Sequence, residues 1–188
     1  NKEMLTAAGE GRQRLVHGLI TAGADLETRD DNNYTALHIS AAKGHESVVR
    51  LLLQHGIDVN SRGYHNWTPL MRAALYGHHH VASLLMRNGA QLNLQTKSEV
   101  TALRCAAVNG QTSLVVEMME RGADRDIEVY NQTTNDKRTP LQKAQRMGHH
   151  DIVIILERGQ IQKDDENAAK ALLAATEAGC PNVVSNLL

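Results

Sequence analysis

The segment TALHISAAKGH, Thr35 to His45, followed by ESVVRLLLQHGIDVN, Glu46 to Asn60, decides the fold. Thr35-Ala36-Leu37-His38 opens a short helix that Leu37, Ile39, Ala41 and Ala42 keep narrow. Alanine allows helices to pack closely and has the highest helix propensity. Gly44 stops this helix, because glycine takes the left-handed conformation at a helix C-terminus without a Cβ penalty. After His45, Val48, Val49, Leu51, Leu52 and Leu53 fall at the spacing of a second helix, and Gly56 ends it. Ile57-Asp58-Val59-Asn60 then leads into a polar loop, Ser61 to Asn66, that reads as a turn or small hairpin.

The layout recurs. TPLMRAALYGH from Thr68 and TALRCAAVNGQ from Thr101 follow on a pitch of 33 residues, and TPLQKAQRMGH from Thr139 arrives after 38. Proline after Thr68 and Thr139 suits an early helix position, where its missing N–H is not needed. An N-terminal copy lacks the threonine but keeps Met4-Leu5-Thr6-Ala7-Ala8, Gly11, Leu15-Val16 and Leu19-Ile20. A C-terminal copy matches that one, with Leu172-Leu173, Gly179, Val183-Val184 and Leu187-Leu188. A fixed period in this range signals an array of units that bury their apolar faces only against neighbours.

These segments resemble the ankyrin repeat, whose signature is T-P-L-H-x-A-A-x-x-G-H followed by L-L-L-x-x-G-A-D-V-N. The resemblance covers nearly the whole chain. It implies an all-α solenoid of stacked helix-turn-helix units with projecting β-hairpin loops. It also implies protein–protein recognition on the concave face made by loop tips and first helices, with no enzymatic activity and no cofactor.

The expected array spans 1–159, in units of about 2–30, 31–63, 64–96, 97–134 and 135–159. Repeat five departs from the pattern: Gln142 and Gln145 replace His and Ala, and no Gly-Ala-Asp follows Gly159. Residues 160–188 read as a charged linker and a divergent sixth repeat, which either caps this array or begins another. The chain starts at Asn1 without Met and stops at Leu188 within a helical pattern, as an excised fragment would. Five extra residues lie within IEVYNQTTNDKR, Ile127 to Arg138, a loop that is either a functional projection or disordered.

Composition agrees with thin stacked layers. Hydrophobic residues make up 41%, yet there is no Phe and only one Trp. A net charge of -1 gives no global field toward nucleic acid or membrane. Two cysteines, Cys105 and Cys180, supply no disulfide framework, which suits a reducing intracellular compartment, cytoplasmic or nuclear. The apolar runs are too short to span a bilayer.

Candidate binding residues are those that packing does not explain. Tyr34 and Trp67 directly precede the repeat threonines, Tyr64 shares a hairpin with Trp67, and Tyr76 ends a first helix. Tyr and Trp dominate binding hot spots. First helices of repeats two to five carry Lys43, Arg72, Arg104, Lys143 and Arg146 with no Asp or Glu, so the inner layer reads as basic. Arg62, Lys97 and Arg138 add to it from the hairpins. Trp67, Tyr64 and Tyr76 are expected to anchor a protein or peptide with acidic and apolar residues.

Other motifs give less. His45, His78 and His149 hold the Gly-His place, where the resemblance implies a hydrogen bond to an adjacent loop, and His38 holds the T-P-L-H place. His78-His79-His80 point in different directions on a helix, so no metal site is expected. No nucleophile–base pair, phosphate loop or zinc Cys pattern is present. Asn60 fits the family's asparaginyl hydroxylation position, with a loop-stabilising amide as the structural alternative. Beside the scaffold reading stand two others: a nucleic-acid-binding array, and a regulatory spacer next to a catalytic or channel domain outside the chain.

Overall fold

A computed structural model describes residues 2–131 and 136–158. The linker and sixth repeat expected at 160–188, with Cys180, and the centre of the insertion lie outside the described residues.

The chain divides into two units, Asn1–Ala102 and Leu103–Leu188. The first holds three helix pairs: α1 (Lys2–Gly9) with α2 (Gln13–Thr21), α3 (Ala36–Lys43) with α4 (Glu46–Gln54), and α5 (Pro69–Tyr76) with α6 (His79–Arg87). First helices pack on first helices, α1 on α3 and α3 on α5. Second helices do the same, α2 on α4 and α4 on α6, so two helical layers form. The core between them is aliphatic: Leu37, Ala41, Leu70, Ala73 and Ala74 face Val48, Leu52, Val81 and Leu85, all buried. Small side chains in the first helices let these layers approach without aromatic filling.

The helix ends follow the sequence reading. Thr68 Oγ1 accepts a hydrogen bond from the Met71 N–H at 3.3 Å, with Pro69 at the first helical position. Gly44, Gly77 and Gly148 close three of the first helices, α3, α5 and α9 (Pro140–Met147), in the left-handed conformation.

The loops are tighter than two-stranded hairpins. Asp30 N–H donates to Tyr34 O at 2.9 Å, Gly63 N–H to Trp67 O at 2.8 Å, and Thr96 N–H to Val100 O at 3.0 Å. Each closure leaves a three-residue tip; the second is a 3-10 turn, Tyr64–Asn66. Trp67 therefore stands at the foot of its loop rather than at the tip, which Tyr64, His65 and Asn66 occupy.

The second unit contains α7 (Ala102–Val108), α8 (Thr112–Glu120), a short antiparallel pair β1 (Val129–Asn131) and β2 (Asp136–Arg138), α9 and α10 (His150–Arg158). Leu103, Leu114, Val115, Met118, Ala144, Ile152 and Leu156 fill its core. The insertion thus extends a loop into a paired ribbon, Val129 opposite Arg138. Repeat five keeps its start despite its divergence: Thr139 N–H donates to Gln142 Oε1 at 3.0 Å and Thr139 Oγ1 accepts from Gln142 N–H at 3.3 Å. The glutamine that replaces the signature histidine completes a capping box.

Candidate interaction site

In the first unit, one loop and one first helix bring three of the expected residues together. Tyr34 leaves its loop so that its ring lies over Gly63 of the next loop, where an added Cβ would fall 2.3 Å from Tyr34 Cδ1. Glycine at 63 is required by this approach, not by its backbone angle. The Arg72 guanidinium sits over the Tyr34 ring at 4.7 Å from its centroid and over the Tyr76 ring at 5.1 Å. Arg72 and Tyr76 are four apart on α5, so they share a helix face. Arg72 Nε is buried without a hydrogen-bond partner, and Arg72 makes no ion pair among the described residues.

The stack has an exposed side. Tyr64 is 54% exposed and Tyr76 52%, while Tyr34 and Trp67 are half-buried. Burial raises the Tyr34 pKa, the Arg72 charge opposes that rise, and Asp30 adds to it. Tyr34 therefore stays a neutral hydrogen-bonding phenol. A guanidinium stacked on ring faces directs its N–H donors in its own plane, the geometry that a planar anion such as a carboxylate needs, although Arg72 Nε itself is buried.

His38 supports the stack from beneath. Its Nδ1 accepts from Thr35 N–H at 3.2 Å, and Nε2 donates to Trp67 O at 3.0 Å. Both nitrogens are committed to the neutral tautomer. Burial pushes its pKa down to about 4, against the Trp67 carbonyl and with help from Arg29 and Arg72. Trp67 is thus anchored through its backbone by the preceding repeat.

The remaining sequence candidates are distributed differently. Lys43 is exposed at the end of α3. Arg62 is exposed, and its carbonyl accepts from Arg29 Nη1 at 2.9 Å and Asn33 Nδ2 at 3.2 Å. Its backbone ties two loops together while its side chain faces solvent. Arg104 and Arg146 belong to the second unit, where Arg104 is half-buried and Arg146 exposed. Asn60 bridges to the next repeat: Nδ2 donates to Gly89 O at 3.2 Å, and Oδ1 accepts from Gln91 N–H at 2.8 Å.

The histidines of the Gly-His positions act between repeats. Nε2 lies 3.0 Å from Gly9 O for His45, 3.1 Å from Ala42 O for His78, and 3.0 Å from Val108 O for His149. His79 and His80 stack at 5.9 Å. Among the described residues, no three His, Cys, Asp or Glu side chains form a metal ligand set. Cys105 is buried, which pushes its thiol up to about 12. Such a thiol packs rather than reacts.

Sequence reasoning missed two residues of this kind. Arg29, which the sequence analysis does not single out, joins Asn33 O and Arg62 O. Met147 is 49% exposed at the end of α9. It stands eight residues after Thr139, as Tyr76 stands eight after Thr68, and that register was the signal available.

Comparison with known proteins agrees with this architecture. The family model described as ankyrin repeats (3 copies) matches residues 4–96, 63–129, 80–167 and 103–188. No curated protein matches the chain significantly. Among the described residues, no helix is long and apolar enough to cross a membrane. Ankyrin repeats generally mediate protein–protein interaction and are typically non-enzymatic. The stacked helix pairs and the matched repeats together establish that the chain belongs to the ankyrin-repeat family.

Proposed function

We propose that this chain is a non-catalytic, intracellular interaction scaffold that binds a peptide or partner domain on the loop and first-helix side of the array. The observation that carries this reading is the Tyr34–Arg72–Tyr76 stack, with Tyr64 beside it. It combines a cation without an acidic partner and exposed aromatic area, the composition of a hot spot. The bound segment then supplies a carboxylate to Arg72 and an apolar side chain to Tyr64, Tyr76 and Trp67. Lys43 and Arg62 steer it from the rim.

A nucleic-acid reading has one observation in its favour, since an arginine interleaved with tyrosines also suits unstacked bases. The net charge of -1 favours the protein reading. A photo-crosslinking amino acid placed at Tyr76, and as a control at Arg50 on α4, tests both in cells. Polypeptide adducts formed from position 76, absent from position 50 and lost with Arg72→Glu, support the proposal. Nucleic-acid adducts from position 76, or equal adducts from both positions, would overturn it. No adduct from either position would favour the spacer reading.

A further inference from the structure

We propose that the second unit carries its own docking subsite, formed by Lys143, Arg146 and Met147 on α9, for an acidic peptide stretch whose clustered carboxylates flank one apolar side chain. The inference rests on reading the chain as a peptide-binding array, but on residues separate from the tyrosine stack.

Three observations converge on α9. Lys143, Arg146 and Met147 are spaced three and four residues apart, so they share one helix face. Lys143 is half-buried, Arg146 exposed and Met147 49% exposed. The helix carries no acidic residue in its first turn, and neither Lys143 nor Arg146 makes an ion pair among the described residues. Among the described residues, the charges acting on Lys143 are positive: Arg104 from α7, Arg146 from α9 and Arg138 from the end of β2. Burial first, and then this repulsion, lower the Lys143 pKa.

Lys143 and Arg146 place like charges on one helix face with no ion pair among the described residues, and an incoming group of negative charges relieves that repulsion. The register gives a second argument. Lys143 stands four after Thr139 and Met147 eight after it, as Arg72 and Tyr76 stand four and eight after Thr68. In both repeats a cation at the first place is joined by a large exposed apolar group at the second. Methionine adapts its shape to an apolar partner, which a phosphate backbone does not offer. The occupant is therefore a peptide with acidic and apolar residues, not a polyphosphate.

The test uses the full chain and a fluorescein-labelled peptide with two Glu on each side of one Leu, in a Gly-Ser background. Fluorescence anisotropy reads its affinity. The Gln counterpart of the peptide should bind about tenfold or more weakly, an arm that needs no protein variant. Lys143→Gln combined with Arg146→Gln should weaken the Glu peptide about tenfold, and Met147→Ser severalfold, with the melting temperature held. Tyr76→Ala should change this affinity less than about twofold.

Equal binding of the Gln peptide overturns the proposal. So does wild-type affinity in the double variant, or displacement of the Glu peptide by a thymidine oligonucleotide at equal charge concentration. If Tyr76→Ala abolishes binding and the α9 variants do not, the first unit alone binds acidic peptides. That result sinks the α9 subsite and leaves the tyrosine-stack proposal standing.

Discussion

A methyl group on Gly44 would lie 2.5 Å from Nδ1 of His78, the histidine of the next repeat. Gly44 thus does two things. It ends α3 at φ 75°, and its bare Cα forms the surface on which the neighbouring imidazole rests while Nε2 reaches Ala42 O. The same approach recurs between Gly11 and His45 at 2.8 Å, and between Gly110 and His149 at 2.9 Å. The Gly-His pair of the repeat signature is therefore a coupling between successive repeats, made by the Gly of one and the His of the next.

Gly56 provides the control for the first prediction. It has φ 81°, close to that of Gly44, but nothing within 4 Å of an added Cβ. Gly56→Ala should cost about 1 kcal/mol through backbone strain alone. Gly44→Ala should cost that and about 1–2 kcal/mol more, because the imidazole must move. Urea denaturation checks the difference, and the excess should vanish in a His78→Ala background. Equal losses at Gly44 and Gly56 would refute the coupling.

The second prediction concerns acid. The folded state keeps His38 neutral down to about 4, whereas an unfolded histidine takes up its proton near 6.5. Between these values the unfolded state binds the extra proton, so stability falls as pH drops from 6.5 toward 4. Above 6.5 His38 contributes no slope. The shift corresponds to about 3 kcal/mol over the whole window. Denaturant melts of the wild type and His38→Gln across this range should diverge, with the variant flatter. Parallel curves would show that His38 is not the group responsible.

Much of this arrangement could be read from the chain. Thr35, Thr68 and Thr139 announce helix starts, the glycines announce stops, and the apolar spacing between them gives two helices per repeat. Those are local signals with one physical outcome. The contacts between repeats were less legible, because residues 29 to 41 positions apart meet only once the units stack. Gly63 gave no sign that Tyr34 lies over it, and Trp67, which directly precedes Thr68, looked like part of an exposed loop tip. The Asp30, Gly63 and Thr96 closures shorten each loop and draw the residue before the threonine inward. Arg72 was chosen for its charge. That its position lies between two rings depends on the stacking of α3 against α5, which no spacing within one repeat encodes.

Asn60 supports a third prediction. Its amide makes two hydrogen bonds to the turn around Gly89 and Gln91, and its own N–H donates to Asp58 Oδ1 at 2.9 Å. Asn60→Ala removes the first two and should destabilise by about 1–3 kcal/mol in chemical denaturation. An unchanged midpoint would mean that the bridge contributes nothing. The separate proposal that Asn60 is hydroxylated at Cβ is decided by mass spectrometry of protein from cells with an active asparaginyl hydroxylase. An Asn60 peptide lacking the added oxygen there would end it.

Leu52 gives the fourth. It is fully buried between the helical layers of the first unit. Leu52→Ala should leave a cavity and cost about 2–5 kcal/mol. A loss under about 1 kcal/mol in a denaturant melt would mean that the site collapses around the smaller side chain.

The fifth prediction separates ring geometry from charge at the tyrosine stack. Gly63 has φ -93°, which alanine adopts freely, so Gly63→Ala perturbs the site through the methyl that meets Tyr34 at 2.3 Å. Displacing that ring removes one of the two faces holding Arg72, and Tyr76→Ala removes the other. Each should weaken binding of the crosslinked partner by about 0.5–2 kcal/mol, the range of a cation–π contact. Arg72→Glu should cost about 2 kcal/mol or more, chiefly by repelling the partner's carboxylate. Trp67→Ala should lower both affinity and stability, because its ring is half-buried, whereas Tyr76→Ala should leave stability nearly unchanged. Calorimetric titration alongside thermal melts reads both quantities. Full affinity in Gly63→Ala and Tyr76→Ala with a loss only in Arg72→Glu would reduce the site to its charge. Full affinity in all of them would place the partner elsewhere on the array.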